Sequence, residues 1–551
     1  MKKKILCLSL AITMGVGLAS CNNSANSTDQ KTNNEYVINE DDLKLSSKSN
    51  SNQTFYEIFV GAFSDSNGDG IGDIRGVINR LDYLNDGDPN SGKSLGVTGI
   101  WLMPVFKSSS YHKYDVTDYY TVDSTYGTND DLKELATKCH ERGITLILDL
   151  PINHTSTSNE WFLNFKNALA KEDFSNQYAD YYSYCGMNEG LQGRTTKALS
   201  GTNYKYECNF DSSMPELDFD NDLVREETLN IAKYWINQGI DGFRFDAAKY
   251  IYYESSQKSI EFWKWYTSQL RSYKSDVYLI GEVWDGGGII QNYYEAMTCF
   301  DFPFSQGEGY IANAAKNGNV NTYISQVISY YNGCSSHTSN PILAPFIANH
   351  DTDRAAGFLT VSSGDAYSAA NLLLMTPGTP FIYYGEEIGM KGSRGGANTD
   401  ANRRLAMLWG DDDTVSNPIG DTYDKSKQNN GTVSEKIQAS TSLYNHNKKL
   451  IMMRNRNPEI TNGTYTNLDL SVLKSVGGFI ATLGDSSCIV IHNTGSSEAT
   501  IDLTGYSDYK TINSYAGLGS AKLENGSLTI GQKTTVVLRK SLIRLCKLKW
   551  R

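Results

Sequence analysis

The chain has 551 residues, enough for several domains with cores of their own, so a peptide hormone or a small disulfide scaffold is excluded. With 50 Lys and Arg against 62 Asp and Glu, the formal net charge is −12, and an acidic chain lacks the basic surface that nucleic acid requires. The balance of 39% hydrophobic and 20% charged residues is typical of a globular protein. We therefore expect a folded, multidomain protein with no nucleic-acid partner.

Residues 1–20 are predicted to be a signal peptide, since a basic start is followed by an apolar run that is too short to span a bilayer. The sequence Leu18-Ala-Ser-Cys21 resembles the end of a bacterial lipoprotein signal, which implies lipidation of Cys21 and a membrane anchor. The alternative is an ordinary signal peptide with an incidental cysteine. Either interpretation predicts an extracytoplasmic protein, anchored at the cell surface or secreted, with residues 21–53 as a flexible tether.

The spacing of the nine cysteines matches no zinc site. Once Cys7 leaves with the signal peptide and Cys21 carries lipid, seven remain, so at least one thiol is unpaired. We expect the remaining cysteines to be small buried residues. Cys185 and Cys208 are the only pair considered for a disulfide.

From residue 54 onward, short apolar segments alternate with helical patterns, as in a (β/α)8 TIM barrel. The predicted barrel strands cover residues 55–63, 99–106, 145–151, 242–248, 278–284, 300–304, 345–351 and 380–387. The connection after the third strand is too long for a simple loop, so residues 152–222 are predicted to be an inserted lobe within a barrel of residues 54–151 and 223–457. Strand patterns at 479–483, 488–492, 500–503 and 534–538 predict a C-terminal antiparallel β-sandwich domain over 458–540, followed by a tail at 541–551.

Charged residues close several of these predicted strands, at the end of a barrel where active sites lie. The fourth strand ends with Arg244 and Asp246, the fifth with Glu282, and the seventh with Asp351. Arg244 and Asp246 are two residues apart in a strand, so both face the barrel mouth. One such carboxylate could cap a helix, but three from separate strands predict an active site.

Three converging carboxylates suit glycoside hydrolysis with retention, which needs an ionised nucleophile, a protonated acid and an acid that stabilises the cationic transition state. Arg244 favours ionised Asp246, as a nucleophile requires. A carboxyl crowded by other acids and by Trp284 has a raised pKa, which makes Glu282 the better acid.

Four ordered motifs carry a family resemblance: DLPINH at 149–154, GFRFDAAK at 242–249, GEVW at 281–284 and ANHD at 348–351. With them the chain resembles the α-amylase family of glycoside hydrolases from about residue 54 to residue 538. The resemblance implies Asp246 as nucleophile, Glu282 as general acid/base and Asp351 as the third acid. It also implies three contacts to the sugar at the cleavage site, made by Arg244, His154 and His350. For the histidines, a satisfied hydrogen bond in the barrel mouth is the alternative.

Further candidate substrate contacts follow from the same resemblance. Tyr114 is similar to a tyrosine that stacks on the sugar. Lys249 and Trp284 are the other candidate contacts to the substrate. Arg404 lies where exo-acting relatives carry an arginine that pairs with the equivalent of Asp115. Such a pair would close the site to long chains.

The loop DSNGDGIGD at 65–73 offers oxygen atoms at alternate positions, as calcium loops do. It is not an EF-hand, because residue 76 is Gly where a bidentate Glu is needed. It resembles the calcium loop after the first barrel strand of many relatives, which implies a structural Ca²⁺. The implied ligands are the side chains of Asp65, Asn67, Asp69 and Asp73 and the carbonyl of Ile71. The alternative is an Asp- and Gly-rich turn without metal.

The sequence therefore predicts a monomeric, endo-acting hydrolase of α-1,4-glucosidic bonds in starch, glycogen or maltooligosaccharides. Alternatives within the family are an exo-acting α-glucosidase, a cyclomaltodextrinase or neopullulanase, and a transglycosylase. The alternative from another class is a non-catalytic, lipid-anchored α-glucan-binding protein. A catalytically inactive homologue should lack one of the acids, whereas Asp246, Glu282 and Asp351 are all present.

Overall fold

The computed structural model describes residues 54–253, 255–470 and 473–540. The predicted signal peptide with Cys21, the tether up to residue 53 and the tail from residue 541 lie outside the described residues. In the described ranges, no helix combines the length and the apolar character needed to cross a membrane.

The secondary structure alternates strands and helices up to residue 383; irregular segments with short 3-10 helices and then three α-helices precede a final run of strands. The strands of the first part are β1 (Phe55–Ile58), β2 (Gly99–Leu102), β3 (Phe106–Ser108), β4 (Val116–Val122), β5 (Thr145–Leu150), β6 (Tyr184–Gly186), β7 (Thr196–Ala198), β8 (Tyr204–Glu207), β9 (Gly242–Phe245), β10 (Tyr278–Gly281), β11 (Thr298–Cys299) and β12 (Phe381–Tyr383). The α-helices are α1 (Ile74–Asn79), α2 (Leu81–Leu84), α3 (Asn129–Glu141), α4 (Glu160–Ala170), α5 (Asp222–Asn237), α6 (Ser256–Tyr273), α7 (Gly287–Tyr293), α8 (Tyr310–Asn317), α9 (Val320–Ser335), α10 (Asp365–Met375), α11 (Val433–Gln438), α12 (Leu443–Asn455) and α13 (Glu459–Asn462).

A parallel sheet forms the barrel in the order β11-β10-β9-β5-β2-β1-β12. Two isolated parallel bridges, Phe300 to Ala344 and Phe346 to Phe381, place residues 344–346 between the two ends of this sheet and close it. Residues of β1, β2, β9 and β10 are all buried, as expected where helices cover a parallel sheet. The predicted TIM barrel is confirmed.

The structure corrects the predicted sixth strand, 300–304, where only Phe300 forms a bridge and Phe302–Phe304 is a 3-10 helix, and the predicted seventh strand, 345–351. Only the isolated bridges at Ala344 and Phe346 belong to the sheet. The chain then turns, because the side chain of Asn349 accepts a hydrogen bond from the N–H of Asp351 and Thr352 Oγ1 accepts one from the N–H of Asn349. The turn takes His350 and Asp351 out of the strand and into the barrel mouth.

Between β5 and β9, the chain forms helix α4 and a small antiparallel sheet in the order β6-β8-β7. This segment returns to the barrel where His154 bridges Glu216 and where the N–H of Leu217 donates to the carbonyl of Asn153. Cys185 and Cys208 both lie in this segment, and both are buried free thiols. The disulfide considered between them is therefore not formed.

The C-terminal region consists of β13 (Thr464–Asn467), β14 (Val476–Leu483), β15 (Ser486–Asn493), β16 (Ala499–Asp502), β17 (Thr511–Gly517), β18 (Ala521–Glu524), β19 (Ser527–Ile530) and β20 (Thr534–Arg539). Two antiparallel sheets, β13-β14-β15-β20-β17 and β16-β19-β18, share one apolar core that includes Ile489, Val536, Ile501 and Leu528. The predicted antiparallel β-domain is confirmed.

Candidate active site

One buried cation lies at the centre of the barrel mouth. Arg244 in β9 is fully buried, and its Nη1 atom lies 2.6 Å from Asp246 Oδ1 and 2.9 Å from Asp149 Oδ1. Its Nη2 atom lies 3.1 Å from Glu282 Oε1. These carboxylates follow or end three neighbouring strands, so the register of the sheet brings them to one guanidinium. Arg244 and Asp246 face the mouth together, as their spacing predicted.

Glu282 follows β10 directly and is almost fully buried. Burial raises the pKa of its carboxyl; the charge of Arg244 opposes this effect, and the charges of Asp246 and Asp351 add to it. The N–H of Ala247 donates to Glu282 Oε2 at 3.0 Å, from a residue held in the left-handed region at φ 49°. The raised pKa of Glu282 agrees with the sequence prediction and favours the protonated acid.

The pKa of Asp351 is shifted in the opposite direction from that of Glu282. Its Oδ2 lies 2.9 Å from Nε2 of His350, and its Oδ1 accepts a hydrogen bond from Nη2 of Arg404 at 2.8 Å. Burial alone would raise the pKa of Asp351, but the charges and hydrogen bonds of His350 and Arg404 outweigh it and hold the pKa well below its usual range. Asp351 is therefore ionised, whereas the raised pKa of Glu282 favours its neutral form.

His350 connects Asp351 to a residue that the sequence did not reveal. Its Nδ1 atom lies 2.5 Å from Oε1 of the buried Glu57 in β1. Burial lowers the pKa of the imidazole, but the charges of Asp351 and Glu57 prevail and raise it to about 10. The available signal was that Glu57 is the only charged residue in the apolar segment 55–63.

Tyr114 and Asp149 complete the buried network. The hydroxyl of Tyr114 donates to Asp149 Oδ2 at 3.0 Å and lies 2.7 Å from Nε2 of His350, on which its ring is stacked. Burial raises the pKa of Asp149 to about 7 although Arg244 lowers it. Asp149 is the first residue of the motif at 149–154, but the sequence pattern did not indicate its role in this network.

The predicted pair of Asp115 and Arg404 is wrong. The carboxylate of Asp115 accepts hydrogen bonds from the hydroxyls of Ser108 at 2.6 Å, Ser109 at 2.8 Å and Ser110. These hydroxyls satisfy the carboxylate locally, and Arg404 instead binds Asp351. Asp115 and Arg404 therefore lie in separate hydrogen-bonding groups.

The remaining predicted contacts stand around the mouth. The ring nitrogens of His154 are buried, and burial lowers the pKa of this imidazole. Lys249 Nζ donates to the carbonyl of Trp284 at 2.9 Å. The indole of Trp284 is 43% exposed and stacks on Phe302 with ring centroids 4.9 Å apart, which leaves its other face open.

In the predicted calcium loop, carboxylate oxygens accept hydrogen bonds from backbone N–H groups in the loop or just after it. Asp65 Oδ1 accepts from the N–H groups of Asn67 and Gly68, and Asp73 Oδ1 caps α1 by accepting from the N–H of Gly76. The oxygen donors suit a hard cation, yet the described residues include no group of three or more His, Cys, Asp or Glu side chains placed to hold a metal. Asp69 and Ile71, two more of the predicted ligands, are joined by a hydrogen bond of 2.8 Å that the N–H of Ile71 donates to Asp69 Oδ1. Calcium binding stays a prediction.

Comparison with known proteins gives the family. The domain family described as "Alpha amylase, catalytic domain" matches residues 57–463. The chain belongs to the α-amylase family of glycoside hydrolases. Alpha-amylase 3 of Dictyoglomus thermophilum is 36% identical over 494 residues, which is 89% of this chain and 93% of that protein.

Two solved structures of relatives superpose on 89% of this chain each. Eubacterium rectale Amy13B superposes with a TM-score of 0.81 at 32% identity, covering 89% of this chain and 96% of its own. The alpha-amylase from H. orenii superposes with a TM-score of 0.76 at 35% identity, covering 89% and 100%. Other relatives are named 4-alpha-glucanotransferase, oligo-1,6-glucosidase, neopullulanase and cyclomaltodextrinase, so family membership alone leaves the specificity open.

Proposed function

We propose that the protein is an endo-acting α-amylase, which hydrolyses internal α-1,4-glucosidic bonds of starch-type glucans with retention of configuration. The observation that carries this proposal is the sharing of Arg244 by Asp246 and Glu282. When two carboxylates share one guanidinium, the carboxyl groups lie close together. This arrangement favours the distance of about 5–5.5 Å between the carboxyl groups of retaining enzymes over the roughly 6.5–9.5 Å of inverting ones.

In the first step, a carboxylate oxygen of Asp246 attacks the anomeric carbon while Glu282 donates its proton to the glycosidic oxygen. The bond from the anomeric carbon to that oxygen breaks, and a glucosyl ester forms on Asp246. In the second step, the ionised Glu282 takes a proton from a water that attacks the same carbon and releases Asp246. The raised pKa of Glu282 suits its first role, since the proton must be present at the start.

Positive charge develops on the sugar in both steps. Asp351, kept ionised by His350 and Arg404, supplies a negative charge for it. The exposed indole of Trp284 can stack on an apolar sugar face.

Endo action is favoured because the ion pair expected of an exo-acting enzyme is replaced by separate contacts of Asp115 and Arg404. Asp115 and Arg404 therefore do not form the ion pair that would close the site to a continuing chain. The names of the relatives keep transfer to a second glucan as the competing outcome.

The test is a product time course on amylose that follows reducing ends and viscosity, run beside maltotriose, pullulan and a cyclodextrin. Viscosity that falls early while mixed maltooligosaccharides appear would support endo hydrolysis. Steady release of one small product at nearly constant viscosity would refute it in favour of exo action. In the reaction on maltotriose alone, products longer than the substrate would identify a transferase. No product from any of the substrates would leave a glucan-binding protein.

A further inference from the structure

The turn that carries the third acid is held by a second chain segment. Residues 349–354 belong to no strand of the described structure, so the sheet does not fix the main chain of Asp351. Two consecutive arginines that follow β12 bind this turn instead. Arg404 Nε donates to the carbonyl of His350 at 3.2 Å, and Arg403 Nη1 donates to the carbonyl of Asp351 at 2.8 Å.

The two arginines act on the acid in different ways. Arg404 also binds the carboxylate of Asp351, so its charge acts directly on the group that faces the sugar. The contact of Arg403 to Asp351 is made to the main-chain carbonyl, which takes no part in the chemistry. Arg403 therefore affects where the carboxylate stands rather than the sugar itself.

Arg403 is itself oriented by carboxylates. Its Nε atom donates to Asp353 Oδ1 at 2.8 Å, and its Nη1 atom lies 3.1 Å from Asp400 Oδ1. The same oxygen of Asp353 accepts a hydrogen bond from the backbone N–H of Arg394 at 3.0 Å. The side chain of Arg403 is only 15% exposed, and such partial burial strengthens charge-assisted hydrogen bonds. Because Asp353 belongs to the same turn as Asp351, its ion pair with Arg403 braces the turn at a second point.

The turn also binds the arginine segment in return. The buried Arg354 donates from Nε to the carbonyl of Arg403 at 2.9 Å, and its backbone N–H donates to the carbonyl of Gly392 at 2.9 Å. A Cβ atom at Gly392 would lie 2.4 Å from the carbonyl oxygen of Asn402, so the two ends of segment 392–404 are in close contact there. Arginines of each segment thus bind main-chain carbonyls of the other, which fixes the turn and the segment relative to one another.

We propose that Arg403, oriented by Asp353, is a positioning residue that sets where the carboxylate of Asp351 stands against the reacting sugar. The proposal rests on the proposed function, in which Asp351 stabilises the cationic transition state. A displaced carboxylate weakens an interaction that is strongest in the transition state, and a misplacement of about 1 Å can cost on the order of 10²-fold in rate. Arg403 therefore contributes to kcat more than to KM.

The first test measures hydrolysis of α-maltotriosyl fluoride, whose leaving group departs without a proton from Glu282. In Arg403→Met, kcat should fall about 10- to 100-fold while KM changes less than about twofold. Arg403→Lys keeps a cation that can donate to the same carbonyl and should recover part of this loss. A change that appears in KM and not in kcat would overturn the proposal.

Arg394→Met is the matched control for this test. Arg394 belongs to the same segment as Arg403, and its guanidinium pairs with the same Asp400 at 3.2 Å. Its removal takes one cation from the segment and leaves the contact of Arg403 to Asp351 in place, so kcat should stay within about twofold of wild type. An equal fall of kcat in Arg394→Met and Arg403→Met would refute a specific role for Arg403.

A double-mutant cycle shows whether Arg403 acts through Asp351. In the Asp351→Asn background, adding Arg403→Met should lower kcat on the fluoride by less than about threefold, because the carboxylate to be positioned is already gone. The same 10- to 100-fold loss in both backgrounds would refute the proposal.

Asp353→Ala keeps the test valid if Arg403→Met does not fold. The side chain of Asp353 is 45% exposed, so its removal empties no buried space. This variant should lower kcat more than KM, in the same way as Arg403→Met but by less, since the contact of Arg403 to Asp351 remains. A kcat equal to that of wild type would contradict the orienting role of Asp353.

Amide hydrogen exchange separates this proposal from the proposed function, since it requires no reaction. In the full-length protein, amides of residues 349–354 should exchange at least about fivefold faster in Arg403→Met than in wild type or Arg394→Met, while those of β1 stay unchanged. This result would support the positioning role even if the protein proved to transfer or only bind glucans. Unchanged exchange at 349–354 would refute it whatever the reaction.

Discussion

The barrel mouth and the loop at 65–73 both collect carboxylates, but they neutralise them with different groups. In the mouth, Asp246 and Glu282 lie against Arg244, and Asp351 lies against His350 and Arg404. Each of these cations is buried, and Arg404 lies 53 positions from Asp351 along the chain. The mouth therefore exists only when the barrel is closed.

In the loop, the acids are satisfied mainly by backbone N–H groups of their own turn. The carboxylate of Asp65 accepts hydrogen bonds from the N–H groups of Asn67, Gly68 and Gly70 and from the hydroxyl of Thr414. Although its slight burial opposes them, these bonds lower the pKa of Asp65. Backbone N–H groups that pair with a carboxylate make it a structural element of the turn, whereas buried cations hold a carboxylate for chemistry at a cost in desolvation.

The largest expected effect is on turnover in Asp246→Asn. The amide keeps the shape of the side chain but cannot form the glucosyl ester, so kcat on amylose should fall by about 10⁴-fold while the far-ultraviolet spectrum is retained. Asp222→Asn is the control, because that side chain is 96% exposed outside the mouth. Near-normal turnover in Asp246→Asn would contradict its assignment as nucleophile.

Arg244→Met should destabilise the fold as well as the site. It leaves three buried carboxylates without their shared cation, and the free energy of unfolding should fall by about 3–5 kcal/mol. Arg75→Met removes exposed ion pairs to Asp131 and Glu134 and should cost about 0–1 kcal/mol. Urea denaturation measures both variants, and equal losses would show that the mouth charges are no more costly than surface ones.

Glu57→Gln should change the dependence of stability on pH. The folded pKa of His350 is raised from 6.5 to about 10, so its stabilising contribution is complete below about pH 6.5 and is lost as pH rises through 10. Removing the charge of Glu57 lowers that pKa, and the alkaline fall in Tm should begin at a lower pH.

The measurement is Tm from pH 5 to pH 11 for Glu57→Gln and for Glu141→Gln, whose side chain is 54% exposed. Only Glu57→Gln should move the alkaline limb of the curve. A uniform loss of Tm at every pH would instead mean that Glu57 acts through packing.

The smallest expected effect concerns calcium. If the loop at 65–73 binds Ca²⁺ as its resemblance implies, exhaustive chelation should lower Tm by about 2–4 °C and added Ca²⁺ should restore it. Asp69→Asn should weaken this response, since it removes a charged ligand from an exposed position. A Tm unchanged by chelation would leave the loop as a turn held by its own hydrogen bonds.

Much of the fold and the central acids could be predicted because their signals are local. Apolar strands followed by polar residues mark the open end of a barrel, and this pattern located Asp246, Glu282 and Asp351 correctly at the mouth. The strand expected at 345–351 was wrong because the hydrogen bonds of Asn349 and Thr352 turn the chain. A sequence shows which side chains can form such bonds but not which bonds form.

By itself, the sequence determined the barrel, the antiparallel C-terminal domain and the set of acids, since apolar periodicity and motif order reside in neighbouring residues. Only the tertiary structure decided the partners. Arg404 contacts Asp351 and not Asp115, and Glu57 reaches His350 across 293 positions of the chain. Partner choice of this kind depends on how the closed barrel positions each side chain, and on which competing hydrogen bonds have already satisfied its alternatives.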